Sequence, residues 1–450
     1  MVGDLRVAGC ETFSVDCEPQ DGILPSKPAQ RRLRIRSDRQ LTADNDQATE
    51  PGTPAATCVP GRVTPLLLAT GISVTGDGAF LAAAPLLATS LTRNPLAVSA
   101  VTAAFYLPWL IAGLPAGALV DRWPRRRVMI TADLLRASVL AALTTLLLTG
   151  HASVPVLLTA VLLVGIAGCF FDASSQAVIP TLIGRDKEAL ARINGRYWAI
   201  DTVGRSLAGP PIGSATFTLS RVLPFAGDAA SFVMSAICLS RLPATPPAGS
   251  SQPFTAAIRD GLAHLRATTE LKVLAGSMAA YNFAYNLAMA PFVLYATGAL
   301  HVPDVDYGIL LAVAALGGIA TGWRAAPITR CLTYRQTMAI ATALQGMAWL
   351  GIAAVPNAYA AAVFLAPIGA ASALTSVAAG SARQALTPDH LLGRVVSAFR
   401  LFGIGAAGLG ALSGGVVAKQ AGLSAPLWAA ATLLALAALV LRPWKRRTSG

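Results

Sequence analysis

Charge is what this 450-residue sequence has least of: Asp, Glu, Lys and Arg make up 13% of it, against 54% hydrophobic residues. Soluble domains carry roughly twice that share of charge. A mean hydropathy of +0.58 therefore excludes a water-facing globule and selects the bilayer as solvent. Histidine is scarce, at four residues, and the six cysteines (Cys10, Cys17, Cys58, Cys169, Cys238, Cys331) show neither metal-ligand nor disulfide-framework spacing. The sequence also lacks a Gly-rich loop ending in Lys-Ser/Thr and any nucleophile-and-base arrangement. No catalytic site, metal or cofactor is expected, and an ion gradient is the remaining energy source. Alternating apolar and polar residues, the mark of a membrane β-strand, are missing as well. Runs such as VLLTAVLLVGIAGCFF at 156–171 are continuous, which selects helices.

Those runs are the main content of the chain. A hydrocarbon core of roughly 30 Å takes about 20 helical residues. Stretches of that length predict twelve spans at 65–91, 96–119, 127–149, 154–176, 197–219, 224–242, 273–297, 307–325, 336–355, 358–380, 395–418 and 424–442. The fold class is an all-α membrane protein with twelve transmembrane helices in two pseudo-symmetric six-helix bundles, 63–242 and 273–442. A weak repeat supports the division, with Pro180, Leu190 and Gly195 echoed by Pro388, Leu392 and Gly393. Residues 243–272 form a cytoplasmic linker in which Phe254, Ile258, Leu262 and Leu265 recur at the spacing of an interfacial amphipathic helix. Residues 1–62 read as a disordered cytoplasmic tail without the apolar core of a signal peptide. Part of that tail could instead precede the true start, and its Arg31, Arg32, Arg34 and Arg36 could touch anionic lipid. Residues 443–450 are a short basic tail.

Lys and Arg set the orientation. One set of alternate connections holds Arg122, Arg125, Arg126 and Arg127, then Arg185, Lys187, Arg192 and Arg196, and later Arg383, Arg394 and Arg400. The opposite set holds only Arg93, Arg221 and Lys419. Short cytoplasmic loops carry the basic excess, so both termini are expected in the cytoplasm of a bacterial inner membrane. The same distribution accounts for the net charge of +13 without a nucleic-acid partner.

Two strings carry more than topology. Between the second and third spans the chain reads GLPAGALVDRWPRRR, where Gly113 and Gly117 permit close helix contact and Asp121 precedes Arg122, Arg125 and Arg126. In the fifth span, VGRSLAGPPIG places Gly204, Gly209 and Gly213 around Pro210 and Pro211, which remove backbone donors and bend the helix. The first string resembles the loop signature of the major facilitator superfamily, which forms a cytoplasmic gate between halves; Pro124 stands where that signature has Gly. The second half has only a degraded counterpart, with Gly318, Gly322, Arg324 and Arg330 and no Asp. The second string resembles the fifth-helix Gly-Pro signature of proton-coupled drug exporters, with a doubled proline as its departure. From about 65 to 440 the chain resembles the exporter branch that holds the enterobactin exporter and macrolide efflux proteins. The strings GDGAF near 76, ADLLRA at 132, IPTLI at 179, GDAASF at 227 and TPDHLLGRVVSAFR at 387 carry that likeness.

Ionizable residues inside spans are costly and become functional candidates. Asp77 lies midway along the first span with no basic residue within one turn in sequence, a place for an acid that binds and releases a proton. Pairing to an Arg on another helix is its alternative role. Asp228 in the sixth span is a second proton-coupling candidate. Asp133 with Arg136, and Asp201 with Arg205, are spaced to pair within one helix. Asp172 is expected near Arg122 or Arg196, and the fourth-span Arg usual in proton antiporters is absent. Asn282, Asn286, Tyr106 and Trp109 are candidates for a substrate cavity. The resemblance implies a monomeric secondary transporter that exports a small amphipathic compound, such as an antibiotic, by proton antiport and alternating access. Siderophore export is an alternative, as is a membrane scaffold or sensor that uses the long N-terminal tail.

Overall fold

The computed structural model describes residues 60–120, 122–184, 186–243, 262–330 and 332–441, and every regular element among them is helical. Nearly all of the expected N-terminal tail, most of the linker and the C-terminal basic tail lie outside the described residues, as does Asp121. Within the linker's described part, residues 262–267 are helical.

The described helices group in chain order into twelve segments, consistent with the expected twelve spans, and seven contain an unbroken helix long and apolar enough to cross a bilayer. The first, third and fourth spans are Pro60–Leu91, Arg125–Leu148 and Val154–Ile183. The eighth to eleventh are Asp304–Arg330, Tyr334–Ala354, Ala358–Leu386 and Asp389–Ala421. The sixth and twelfth, Leu223–Leu239 and Ala425–Leu441, are shorter apolar helices. The other three are broken. The second comprises Pro95–Ala104, Leu107–Ile111 and Gly113–Val120; the fifth joins Lys187–Thr202 to Gly209–Leu219 through a π-helical stretch at Val203–Ala208; the seventh runs Thr269–Met289, then Phe292–Leu294 and a π-helical Tyr295–Ala299.

These bounds correct several expectations. The fourth and tenth helices continue six or more residues past the expected 176 and 380, and the fifth begins at Lys187, where a basic loop was expected. Hydropathy registers where the hydrocarbon ends, whereas the backbone ladder continues as long as the chain can satisfy it. Asp186 caps the fifth helix, accepting from the Ala189 amide at 2.8 Å, with Glu188 in the first turn. The second span breaks where Phe105 and Tyr106 leave the helix before Pro108, which cannot donate to the ladder.

Packing divides the spans into two sets of six. The first span contacts the fifth and sixth, and the third contacts the fourth and sixth. In the other set the seventh contacts the eleventh and twelfth, the eighth contacts the tenth, and the ninth contacts the tenth and twelfth. The sets meet where the second span packs on the eleventh and the fifth on the eighth. Missing side chains make the tightest crossings possible. A Cβ on Gly78 would stand 2.6 Å from the Arg205 carbonyl oxygen and 2.9 Å from Gly209 Cα, so first and fifth spans touch backbone to backbone. Gly410 and Gly414 bring the eleventh span equally close to Phe283 and Leu287 of the seventh.

Candidate functional site

The ionizable residues of the first bundle converge. Asp77 Oδ2 lies 3.2 Å from Arg205 Nη1, and its Oδ1 lies 3.7 Å from Arg136 Nη1. Arg136 in turn contacts Asp133 at 2.5 Å, and Arg205 contacts Asp201 at 3.3 Å. Five side chains from the first, third and fifth spans thus form one chain in the order Asp133, Arg136, Asp77, Arg205, Asp201. Asp77 has no basic residue within one turn in sequence, and its cationic neighbours come from other helices, the pairing that stood as its alternative role. Residues one turn away in sequence occupy only a fraction of the space around a bundle-facing side chain. Asp133 and Arg136 are fully buried, and Arg136 also lies over the rings of Phe171 and Phe232, at 4.7 and 4.2 Å.

The π-helical stretch explains how Arg205 reaches Asp77. Pro210 and Pro211 carry no N–H, so the preceding turn cannot close with ordinary i to i+4 bonds, and the Gly209 amide bonds instead to the Gly204 carbonyl. The widened turn carries Arg205. Gly78 lets the first helix lie against the carbonyls of Gly204 and Arg205 at this point, next to Asp77. The fifth-helix motif is therefore a crossing that seats an ion pair. Gly213 meets Ala79 of the first span, and Gly308 of the eighth span meets the Pro210 carbonyl, so the motif lies between both bundles.

Two adjoining cavities open beside the ionic chain. The smaller, about 390 Å³, is lined by Asp77, Arg136, Asp172 and Arg205 together with Phe80, Phe105, Tyr106 and Trp109. The larger, about 810 Å³, lies between the bundles and includes Tyr106, Tyr285, Tyr307, Met289, Leu311 and Ser372. They share Leu81, Phe105, Tyr106 and Arg205. Phe217, Phe225, Phe292, Tyr295, Leu300 and Val302 do not line the larger cavity and belong to the buried apolar core. Toward the Arg-rich ends the rim of the larger cavity includes Trp198 and Trp323, which are 51% and 84% exposed.

Other sequence candidates divide. Tyr106 lines both cavities and Trp109 the smaller one, but Asn282 and Asn286 line neither. Their amides turn back to their own helix, Asn282 Nδ2 to the Met278 carbonyl at 2.8 Å and Asn286 Nδ2 to that of Asn282 at 2.9 Å. Asp172 lines the smaller cavity with Arg136 and Arg205, and its expected neighbours Arg122 and Arg196 line no part of it. In the loop signature, Gly113 and Gly117 belong to the helix Gly113–Val120, and Arg122 is exposed on the turn after it. Arg125 is buried and donates to the Ala177 carbonyl at 2.7 Å and to Thr181 Oγ1 at 3.4 Å. Arg126 donates to the Ser240 carbonyl. These two arginines tie the third span to the fourth and sixth within one bundle.

Arg400, counted with the basic connections although the expected span 395–418 contains it, lies within the eleventh helix and lines the smaller cavity, its guanidinium 5.3 Å from the Trp109 ring. The apolar pattern on both sides of it, VVSAFRLFGIG, was the available signal. Tyr307, also unremarked in the sequence, lines the larger cavity from the eighth span.

The chain aligns with known proteins over most of its length. It is 31% identical over 376 residues to the multidrug efflux pump Tap of Mycolicibacterium fortuitum, covering 80% of this chain and 91% of that protein. It is 29% identical over 389 residues to the protein of the same name from Mycobacterium tuberculosis strain H37Rv, covering 83% and 91%. Among solved structures, a bacterial homolog of the human lysosomal transporter Spinster shares the fold, with a TM-score of 0.67 at 14% identity over 85% of this chain and 96% of that one. Residues 62–448 match the family described as transmembrane secretion effectors. With its all-helical membrane-spanning architecture, a cavity between two bundles and that match, the chain belongs to the transmembrane secretion effector family of the major facilitator superfamily and is a membrane transporter, not an enzyme.

Proposed function

We propose that this protein is a proton-driven exporter of small amphipathic compounds, working by alternating access of a cavity between two rocking bundles. The observation that carries this reading is the ionic chain centred on Asp77, which faces a cavity walled by aromatic side chains. Asp77 is shared by two guanidiniums, so a proton on its carboxyl weakens both contacts at once and loosens the tie between the first, third and fifth spans. The same contacts re-form when the proton leaves. Asp77 thus serves as the coupling residue, with Arg136 and Arg205 as the groups that sense its charge. Phe105, Tyr106, Tyr285 and Tyr307 offer stacking surface, and a few hydroxyls orient the ligand. The names of the Tap relatives support export and a broad substrate range. The Arg-rich connections and both termini face the cytoplasm in this reading, and the exposed Trp198 and Trp323 mark the cytoplasmic mouth.

The test is ethidium efflux from cells expressing the chain, with and without a protonophore. Expression should lower ethidium retention in a protonophore-sensitive way, and Asp77→Asn should abolish the effect while the protein remains in the membrane. Efflux by Asp77→Asn at the unsubstituted rate would remove the coupling role. Retention unaffected by expression, across ethidium and a panel of antibiotics, would remove the exporter reading.

A further inference from the structure

Behind Asp77, on the side away from both cavities, the first bundle buries a second carboxyl. Asp228 of the sixth span is 1% exposed and lines neither cavity. Its Oδ1 lies 3.0 Å from Ser231 Oγ, whose single proton is shared with the Asp228 backbone carbonyl at 2.8 Å, and its Oδ2 has no hydrogen-bond partner. The carboxyl packs directly against Gly76, the residue before Asp77, in space that any side chain at position 76 would fill. Asp77 faces it from the first span, Arg136 beside Asp133 from the third and Arg205 from the fifth. None of those arginines pairs with it: the ion pairs of both end on Asp77, Asp133 and Asp201. A bare carboxylate in such a place carries the penalty of an unpaired buried charge. A proton is the smallest group that removes that cost.

The surroundings are unusually polar for a helix interface in lipid. Thr70, Ser73 and Asp77 repeat at i, i+3 and i+7 on the first span, and Asp228, Ser231 and Ser235 do the same on the sixth. Hydroxyls on these helices commonly bond to their own i−4 carbonyl, as those of Thr75, Thr144 and Thr342 do. The hydroxyls of Thr70, Ser73 and Ser174 are buried and forgo that bond. Buried polar atoms of this kind are satisfied by internal water where the site is polar. Ser73 is one turn before both Gly76, against which Asp228 packs, and Asp77.

We propose that Asp228 is an internal proton store, filled and emptied only by way of Asp77 through water held by Ser73, Thr70 and Ser231. In the step itself, the Asp228 carboxylic acid releases its proton to a bridging water while that water passes one of its own to the Asp77 carboxylate. Asp228 ends as the carboxylate and Asp77 as the acid, so one proton has moved and only O–H bonds have changed. Because Asp228 never meets the cavity, a cationic substrate in contact with Asp77 cannot displace the stored proton; it only decides when that proton crosses. The store keeps one proton equivalent inside the bundle while Asp77 is engaged with Arg136 and Arg205. The inference rests on the proton-coupled reading above.

The test uses the full chain in lipid nanodiscs, with infrared spectra at neutral pH in H2O and D2O. The neutral-carboxyl C=O band should be present in the unsubstituted protein and in Asp77→Asn, and reduced by one carboxyl in Asp228→Asn. Ser231→Ala removes the hydroxyl shared between Oδ1 and the Asp228 backbone carbonyl and should shift that band to higher frequency, a readout that remains if Asp228→Asn fails to fold. In proteoliposomes, Asp228→Asn should lose about a hundredfold in ethidium transport driven by a pH gradient, the lower end of the usual scale for deleting a proton-transfer group. Its ethidium counterflow without a gradient should continue. An unchanged band in Asp228→Asn, or an unshifted band in Ser231→Ala, overturns the proposal, as does gradient-driven transport at the unsubstituted rate. If the unsubstituted protein moves no ethidium, the exporter reading fails by itself, and the infrared band, which needs no substrate, still decides the state of Asp228.

Discussion

Replacing Gly78 with alanine tests the crossing that seats Arg205 against Asp77. The new Cβ would lie 2.6 Å from the Arg205 carbonyl oxygen, 2.8 Å from that of Gly204 and 2.9 Å from Gly209 Cα. All three are backbone atoms, so no rotamer change relieves them. Ordinary contact requires the first and fifth helices to part by roughly 0.8 Å, and overpacking of this kind costs about 1–3 kcal/mol. Alanine recovers up to about 1 kcal/mol through its better helix propensity, which leaves a net loss of stability. The parting also carries Arg205 from 3.2 Å toward the limit of an ion pair with Asp77. At an effective dielectric of about 20, that stretch weakens the attraction by about 1 kcal/mol. Solvent reaching the 31% exposed Arg205 side chain trims the figure. Ethidium efflux should therefore fall by about fivefold or less. Thermal unfolding in detergent and vesicle efflux measure the two effects, with Gly276→Ala as the control. A Cβ on Gly276 meets nothing within 4 Å, so that variant should be unchanged or slightly stabilised. If Gly78→Ala matches Gly276→Ala in both assays, the helix crossing does not position the ion pair.

Two further substitutions probe separate parts of the molecule. Gly168 lines the smaller cavity and a Cβ there meets nothing within 4 Å, so Gly168→Leu should fill the cavity and weaken ethidium binding, read by fluorescence titration, while the unfolding temperature stays close to the unsubstituted value. Ser214 is buried in the fifth span and its Oγ donates to the Val305 carbonyl of the eighth at 2.8 Å, a bond between bundles. Ser214→Ala should cost about 1 kcal/mol of stability and speed amide hydrogen exchange at the N-terminal end of the eighth span.

The spans were legible because lipid imposes a one-dimensional rule: roughly 20 apolar residues are needed wherever the chain crosses. Where the rule stopped applying, the reading stopped too. The fourth helix runs to Ile183 and the fifth starts at Lys187, in polar stretches that hydropathy cannot divide into helix and loop. The breaks at Phe105–Tyr106 and Ala290–Pro291 were equally hidden, because both lie within apolar runs. Spacing alone correctly placed Asp133 beside Arg136 and Asp201 beside Arg205, since i+3 and i+4 neighbours share a helix face.

Composition and the order of residues determined that this chain is a multi-span helical membrane protein, where most of its helices lie and which string bends the fifth. They did so because burial in lipid and local hydrogen bonding act on neighbours in the chain. Only the tertiary structure decided that Asp77 is held between Arg136 and Arg205, that Arg400 reaches the cavity, that Asn282 and Asn286 do not line it, and that Asp228 is sealed behind Gly76. Those relations depend on the rotation and approach of helices far apart in sequence, which close packing of glycines and prolines fixes and no local pattern encodes.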